Sequence, residues 1–236
     1  MKISVLLPAY RRPILIRRAL ASLWEQTTDD YELVVIENGS DADMEKRYVP
    51  VRKMVEDKGH KWLCRNDFAS LPRALNVGFA ESSGRYISVL EDDDEWKPRF
   101  LEVLSGHMDY CSCAMAFSKQ AEMDASGNRG TFGTPIPKHF SVEAMLKANF
   151  VGFPMVMYRR GIIEKMGGFD EEAGAGTDWI THCTVSAYGQ VHMIDDELVI
   201  HHWHGDNYCL MEDQLELTLR QRRLWAEGRF GQEWAR

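Results

Sequence analysis

Short, nearly continuous runs of apolar residues recur in the first part of the chain. They cover residues 3–7 (ISVLL), 32–36 (ELVVI) and 86–90 (YISVL), and a shorter run covers residues 61–64. Runs of this length, bounded by turn residues, predict buried β-strands. Because these strands show no polar face, we expect them in a sheet that is covered on both sides.

The segments between these runs carry apolar residues at helical spacing. Helices are predicted at residues 13–26, 72–81 and 98–108, and at residues 42–58 with an interruption at Pro50. Strands that alternate with helices predict an α/β fold, with a mainly parallel central sheet and helices on both faces.

The second half of the chain has a less regular pattern. Strands are predicted at residues 114–117, 154–158, 191–194 and 197–202, helices at residues 142–148, 160–166, 178–187 and 215–225, and a loop or hairpin at residues 124–137. No linker composition separates the halves, so a single domain over residues 1–236 is expected, with the halves meeting near residue 100.

Polar residues follow three of the predicted strands directly. They occupy residues 8–12, 37–40 and 91–94. In open parallel sheets, ligands bind outside the carboxyl ends of the strands. These three segments are therefore the candidate ligand-binding segments.

The charge balance narrows the class of partner. The formal net charge is -8, and because phosphate binding depends on Lys and Arg, this acidic excess argues against a nucleic-acid partner. A local basic cluster at residues 11–18 could face a diphosphate, an anionic membrane surface or solvent. The first apolar run is too short for a signal peptide or a membrane span. We therefore expect a cytoplasmic protein without a membrane span, for which peripheral contact with the inner membrane face stays open.

The cysteines and late histidines show no familiar zinc motif. The five cysteines include no Cys-x-x-Cys pair, which argues against a zinc ribbon or a redox motif. Cys111 and Cys113 are too close in sequence for an ordinary disulfide, and reduced cysteines are expected in this compartment. His201, His202 and His204 form neither HxxxH nor HExxH, so no dedicated zinc site is predicted there.

Five consecutive carboxylates, residues 91–95 (EDDDE), follow the third apolar run. Carboxylates packed side by side repel one another unless a cation neutralises them. Carboxylate oxygens suit hard divalent ions. A solvated acidic loop is the alternative, but the position at the end of a buried strand favours a site for Mn²⁺ or Mg²⁺. Such an ion could bridge a bound diphosphate and act as a Lewis acid on the leaving group.

Five segments resemble, in order, the motifs of the family 2 glycosyltransferases of the GT-A fold. They are ISVLLPAYRRP, VVIENGS, ALNVGFAESSGRYISVLEDDDEWKP, GGFDEEAGAGTDW and HGDN. Each segment alone is a weak signal, whereas their order and spacing identify the family. The resemblance implies that about residues 1–100 bind a nucleotide sugar and that about residues 101–236 form a smaller, acceptor-binding half.

The resemblance also implies roles for single residues of these motifs. The implied donor-binding residues are Pro8, Ala9, Tyr10, Arg12, Glu37, Asn38, Arg73, Asn76 and Asp92. The implied metal ligands are Asp93 first, then Glu91, Asp94 and His204. Asp178 falls where the family places the base that deprotonates the acceptor hydroxyl.

Three positions depart from the family pattern. Asn38 replaces an Asp, and because an amide can donate as well as accept, the nucleotide base stays open, with uracil favoured. Glu91 replaces the first Asp of the Asp-x-Asp motif and reaches further. Thr177 replaces a Glu, which leaves Asp178 as the acid of that pair. From the residues alone a helix N-cap explains Asp178 better, and the resemblance reverses that preference.

These assignments predict a metal-dependent, inverting transfer of a sugar from a nucleoside diphosphate to a hydroxyl in glycan or glycoconjugate biosynthesis. The acceptor could be a glycan, a lipid-linked sugar or a small molecule. A nucleotidyltransferase is one alternative, although it would need a Gly-rich loop where this chain has residues 8–12 (PAYRR). The other is a non-catalytic nucleotide-sugar or glycan-binding module, which would tolerate the loss of Asp178. The sequence does not predict the oligomeric state.

Overall fold

A computed structural model describes residues 2–205 and 207. The strands are β1 (Ile3–Ala9), β2 (Tyr31–Asn38), β3 (Lys61–Arg65), β4 (Tyr86–Val89), β5 (Glu95–Trp96), β6 (Met115–Met123), β7 (Arg129–Gly130), β8 (Val156–Arg159) and β9 (Val191–His202). The helices are α1 (Ile16–Trp24), α2 (Ala42–Glu56), α3 (Leu71–Ala80), α4 (Phe100–Tyr110), α5 (Val142–Lys147), α6 (Arg160–Met166) and α7 (Thr177–Tyr188).

The strands form one sheet in the order β3-β2-β1-β4-β8-β6-β9-β5, with β7 beside β6. β1 is parallel to β2 and β4, and β2 is parallel to β3. β8 runs antiparallel to both β4 and β6, while β9 is parallel to β6. The carboxyl ends of β1, β2, β4, β6 and β9 therefore share one edge of the sheet. This arrangement confirms the predicted α/β fold with a mainly parallel sheet.

The central strands are buried along most of their length. Every residue of β1 and β4 is buried, as are the last six residues of β2. These are the apolar runs that predicted strands, and their burial on both faces explains why they lack a polar alternation. The cluster of buried side chains extends from Ile3 in β1 to Val199 in β9, so both halves of the chain contribute to one core.

The sequence predicted two separate strands at residues 191–194 and 197–202, but the structure has one continuous strand, β9, over both. The acidic pair Asp195 and Asp196 between them is exposed. The pairing of β9 with β6 shifts register beside this pair, at Ser118–Gln120. An irregularity of this kind lets a strand carry exposed polar residues without ending.

Two further predictions about helices have different outcomes. α2 continues through Pro50, where an interruption was predicted, although the proline ring removes one backbone hydrogen bond there. The helix predicted at residues 215–225 lies outside the described residues. Among the helices of the described part, none is both long and apolar enough to cross a bilayer.

Candidate active site

The three polar segments predicted at strand ends lie together at the shared edge of the sheet. The backbone N–H of Tyr10 donates to Asp92 Oδ2 at 2.9 Å. The Arg12 guanidinium donates to Asp92 Oδ1 at 3.0 Å and to Asp93 Oδ2 at 2.5 Å. Asn38 Nδ2 donates to the carbonyl oxygen of Ala9 at 3.3 Å. The rule that ligands bind at strand ends therefore selected segments that are in contact.

The turn after β1 brings two of these donors to Asp92. Arg11 has a φ of 58°, a left-handed conformation that costs a non-glycine residue free energy and is frequent at functional sites. The Arg12 N–H donates to the Tyr48 hydroxyl at 2.8 Å, which fixes the far side of the turn. Pro8 and Ala9 are buried, whereas Tyr10 is 38% exposed. Of these three predicted donor-binding residues, Tyr10 therefore offers a side chain to a ligand.

Burial and repulsion among carboxylates set the electrostatics of the acidic run. Burial and the neighbouring Asp93 raise the pKa of Asp92 to about 7. Burial, Asp93 and Asp94 also raise the pKa of Glu91 well above its usual value. Ionisation of all these carboxyl groups together is therefore unfavourable without a positive charge beside them, and a divalent cation would supply that charge.

Asp93 stays ionised despite its burial. Burial by itself would raise the pKa of Asp93, but the hydrogen bond from His204 and the charge of Arg12 outweigh it and lower that pKa. The distance between His204 Nε2 and Asp93 Oδ2 is 3.0 Å. An ionised carboxylate at the centre of the cluster is the ligand that a hard cation prefers.

Asp94 anchors the end of β9. Its carboxylate is fully buried, with Oδ2 2.9 Å from His201 Nδ1 and Oδ1 accepting from the His202 N–H at 3.0 Å. Burial lowers the pKa of His201, but Asp94 and the other carboxylates raise it to about 9. His201 therefore carries a positive charge at neutral pH, and both oxygens of Asp94 already have partners.

The loop after β9 carries His204 to the acidic run. The His204 N–H donates to Asn207 Oδ1 at 2.5 Å, and Asn207 Nδ2 donates to the His202 carbonyl at 3.0 Å. The Asn207 side chain is buried, so these hydrogen bonds close the loop on itself. Three of the predicted metal ligands therefore lie close together: Glu91, Asp93 and His204. Asp206 of the same motif lies outside the described residues.

Asp178 lies in the first turn of α7. Gly176 is the N-cap of that helix, so the cap interpretation of Asp178 does not apply. Asp178 Oδ2 accepts from Asn149 Nδ2 at 2.8 Å, and Oδ1 accepts from the Trp179 N–H at 2.7 Å. Burial raises the pKa of Asp178 to about 6, against the lowering effect of the Asn149 hydrogen bond.

Two electrostatic interactions place Asp178 beside the acidic run. Its charge contributes to the raised pKa of Glu91, and the charge of His201 lowers the pKa of Asp178 itself. The structure therefore places the predicted base within electrostatic range of the acidic run. A carboxylate with a pKa near 6 is suited to accept a proton near neutral pH.

Asn76 differs from its predicted role as a donor contact. Its Oδ1 accepts from the Phe169 N–H at 2.7 Å, and its Nδ2 donates to the Phe169 carbonyl and to Glu171 Oε1, both at 2.9 Å. A Cβ on Gly168 would lie 2.6 Å from Asn76 Oδ1, so the glycine is needed for this contact. Asn76 thus holds the Gly-Gly-Phe-Asp turn that precedes Asp178.

Two other predicted donor contacts have partners within the protein. Glu37 is fully buried, and its Oε2 accepts from Trp62 Nε1 at 2.9 Å and from Arg52 at 3.1 Å. Its Oε1 is also buried and has no hydrogen-bond partner among the described residues. Arg73 is exposed on α3, and its guanidinium lies 4.5 Å from the centre of the Phe68 ring.

The structure adds residues that sequence reasoning did not assign to the site. Arg18 donates to the Asp93 carbonyl at 2.7 Å. It belongs to the basic cluster of residues 11–18, which was the sequence feature that could have placed Arg18 at the site. His201 pairs with Asp94, and Asn149 with Asp178. These two pairs join residues that are far apart in sequence, and no local pattern marks them.

Curated relatives of the chain are glycosyltransferases by name. An uncharacterized glycosyltransferase of Nostoc is 25% identical over 221 residues, which are 88% of this chain and 66% of the relative. A GalNAc(5)-diNAcBac-PP-undecaprenol beta-1,3-glucosyltransferase of Campylobacter jejuni is 24% identical over 189 residues, 76% of this chain and 59% of the relative. The chain therefore spans less than two thirds of the length of these relatives.

Solved structures share the fold. Residues 1–349 of S. aureus TarS, in complex with UDP-GlcNAc, superpose with a TM-score of 0.73 at 16% identity, over 96% of this chain and 66% of that fragment. The mannosyltransferase PcManGT of Pyrobaculum calidifontis, in complex with GDP-Man and Mn²⁺, gives 0.70 at 16% identity, over 96% of this chain and 64% of that protein. These likenesses confirm the GT-A fold. The sequence profile of Glycosyl transferase family 2 matches residues 4–167, and the chain belongs to this family.

Proposed function

We propose that the chain transfers a sugar from a nucleoside diphosphate to an acceptor hydroxyl, with inversion at the anomeric carbon and with a divalent cation. The observation that carries this proposal is the placement of Asp178, with its pKa of about 6, beside the acidic run. One group can deprotonate an acceptor while the other holds the donor. The buried core that extends from Ile3 to Val199 supports the further proposal that both halves act as one domain.

The residues present fit Mn²⁺ or Mg²⁺ as the cation. Asp93 is ionised, and the repulsion that raises the pKa of Glu91 would fall if a cation lay beside it. Asp93 is the proposed main ligand, with Glu91 and His204 as further candidates. Asp94, whose oxygens are bound to β9, is reassigned as a positioning residue. The bound ion would neutralise charge on the departing diphosphate.

Side chains of this protein can accept the proton of the acceptor hydroxyl and stabilise the negative charge on the departing diphosphate. Asp178 accepts the proton of the acceptor hydroxyl while the oxygen of that hydroxyl forms a bond to the anomeric carbon. The bond from that carbon to the diphosphate breaks, and its electron pair remains on the diphosphate oxygen. Arg12, which contacts both Asp92 and Asp93, can donate to this developing charge. A single displacement of this kind inverts the anomeric configuration.

A UDP-sugar is the proposed donor class. The exposed ring of Tyr10 could stack on the base or the ribose. The unpartnered Oε1 of Glu37 is buried, so it would accept a base N–H only after a side-chain movement that exposes it. The likeness to TarS in complex with UDP-GlcNAc supports uridine, whereas the likeness to PcManGT in complex with GDP-Man supports guanosine. The name of the Campylobacter relative gives an undecaprenol-linked acceptor, which supports a lipid-linked acceptor for this chain. An acceptor of that kind would bring the protein to the inner membrane face.

A thermal-shift screen of nucleoside diphosphates and sugar nucleotides, with and without Mn²⁺, tests the donor site. We expect one nucleotide to raise the melting temperature, and only with the ion. A ligand at 100 times its Kd adds about 2.7 kcal/mol to the free energy of unfolding, which for a chain of this size is roughly 5–10 °C. If no nucleotide stabilises the protein under any condition, the transferase proposal fails.

The pH dependence of transfer tests Asp178 as the base. Asp178 must be ionised to accept a proton, so the rate should fall as the pH drops below its pKa of about 6. The Asn149 hydrogen bond favours the ionised form and lowers that pKa. Asn149→Ala should therefore move the acid limb to higher pH, as measured by kcat/KM between pH 5 and 8. An unmoved limb in this variant would remove Asp178 as the titrating group.

A further inference from the structure

A cluster of two cysteines and two histidines lies at the edge of the sheet opposite the donor site. His107 is in the last turn of α4, Cys111 follows that helix directly, Cys113 precedes β6, and His192 is the second residue of β9. One possible ligand atom from each of the four residues lies within 4.8 Å of the other three. We propose that these four side chains bind a structural Zn²⁺ ion.

The chemistry of this donor set is that of zinc. Two thiolates and two imidazoles are soft and borderline ligands, which bind zinc tetrahedrally and suit Mg²⁺ poorly. From Zn–S bonds of about 2.3 Å and Zn–N bonds of about 2.0–2.1 Å, ligand atoms around one tetrahedral ion lie roughly 3.3–3.8 Å apart. The observed separations reach this geometry with small side-chain movements.

The histidine rings are oriented for a shared ion. His107 Nε2 and His192 Nδ1 face each other at 2.9 Å. The other nitrogen of His192, Nε2, lies 3.3 Å from Gln190 Oε1. If Nε2 carries the proton and donates it to Gln190, the lone pair of Nδ1 points to the cluster. Zinc-binding histidines are commonly held in this way by an oxygen acceptor on the outer nitrogen.

The structure pairs Cys111 with Cys113 as a disulfide, where the sequence predicted reduced thiols. That pairing brings the two sulfur atoms together but does not involve the imidazoles. A shared cation accounts for the convergence of all four side chains. Zinc binding requires both cysteines as thiolates, so the disulfide and the zinc site are alternatives that an experiment can separate.

The position of the cluster indicates a structural role. Four protein ligands leave no open coordination position, which is typical of structural zinc. The ion would tie the end of α4 to the starts of β6 and β9, two parallel strands whose pairing begins at Met115 and Val191. β9 then runs to His201 at the donor-site edge, about 30 Å further along an extended strand. The proposed ion would thus fix the strand whose far end holds Asp94.

Zinc content of the full-length chain tests the proposal. The protein is reduced, incubated with Zn²⁺, freed of excess ion and measured for zinc per chain. We expect about one zinc for the wild type and a loss of at least tenfold in Cys113→Ser and in His192→Asn. Cys64→Ser, which removes an exposed thiol, and His60→Asn are the matched controls and should keep the zinc.

Cobalt spectroscopy separates this site from the donor-site metal. Co²⁺ bound by thiolates gives a sulfur-to-metal charge-transfer band, whereas Co²⁺ bound by carboxylates does not. We expect this band in the wild type and in Asp93→Asn, and its loss in Cys113→Ser. A reduced wild-type chain that binds no zinc and shows no band would overturn the proposal in favour of the disulfide. Zinc binding that survives both Cys113→Ser and His192→Asn would overturn it as well.

Discussion

Replacement of Asp178 by Asn is expected to lower kcat for sugar transfer by about 100- to 10,000-fold, the range that general-base catalysis contributes. An amide cannot accept the acceptor's proton at neutral pH. The Asp178 carboxylate is held by Asn149 and by the Trp179 N–H, and Asn can keep one of these two contacts through its oxygen. Donor affinity should stay within about threefold of the wild type, because the interaction that is lost belongs to the transition state.

The measurement compares steady-state kinetics with donor binding for Asp178→Asn. Asp195→Asn is the matched control, since it makes the same chemical change at a carboxylate that is 87% exposed on β9, and it should leave both quantities unchanged. Retained turnover in Asp178→Asn would show that another group is the base. Retained donor binding without any turnover in the wild type would instead favour a nucleotide-sugar-binding module.

The sequence predicted the buried strands and the meeting of the polar segments that follow them, for a physical reason. Residues 3–7, 32–36 and 86–90 are apolar enough to be recognised as buried strands, and parallel strands place their carboxyl ends at one edge. Any polar residues that follow such strands must then be neighbours. The contacts of Asp92 with Tyr10 and Arg12 follow from this rule.

The sequence predicted contacts between distant segments less well. The family resemblance implies that Asn76 contacts the donor, yet its amide binds the backbone of Phe169, 93 residues further along the chain. Asp94 belongs to the acidic run, and the strand predicted at residues 197–202 contains His201, but no sequence pattern indicates that this strand brings His201 to Asp94. That contact depends on the pairing of β5 with β9, which neither hydrophobic periodicity nor motif spacing predicts.

Replacement of Asp93 by Asn is expected to abolish the manganese-dependent part of donor binding. Asp93 is a buried carboxylate of the run with a lowered pKa, and its Oδ2 is the oxygen that both Arg12 and His204 contact. Changes to residues that merely orient a metal ligand reduce metal affinity by about 10- to 100-fold, so the loss of a direct ligand should exceed about 100-fold. Calorimetric titration of Mn²⁺ in the presence of the nucleotide found by thermal shift measures this loss.

The stability of the ligand-free variant separates loss of the ion from loss of the fold. Asp93 contributes to the raised pKa values of Asp92 and Glu91, so removing its charge relieves repulsion that opposes folding. This relief offsets the lost contacts with Arg12 and His204, and the melting temperature without Mn²⁺ should change little. Asp43→Asn, at a side chain that is 91% exposed, is the matched control and should bind Mn²⁺ and nucleotide like the wild type. If Asp93→Asn keeps wild-type affinity for both, the cation is held elsewhere, and the acidic run acts on the donor only through Arg12.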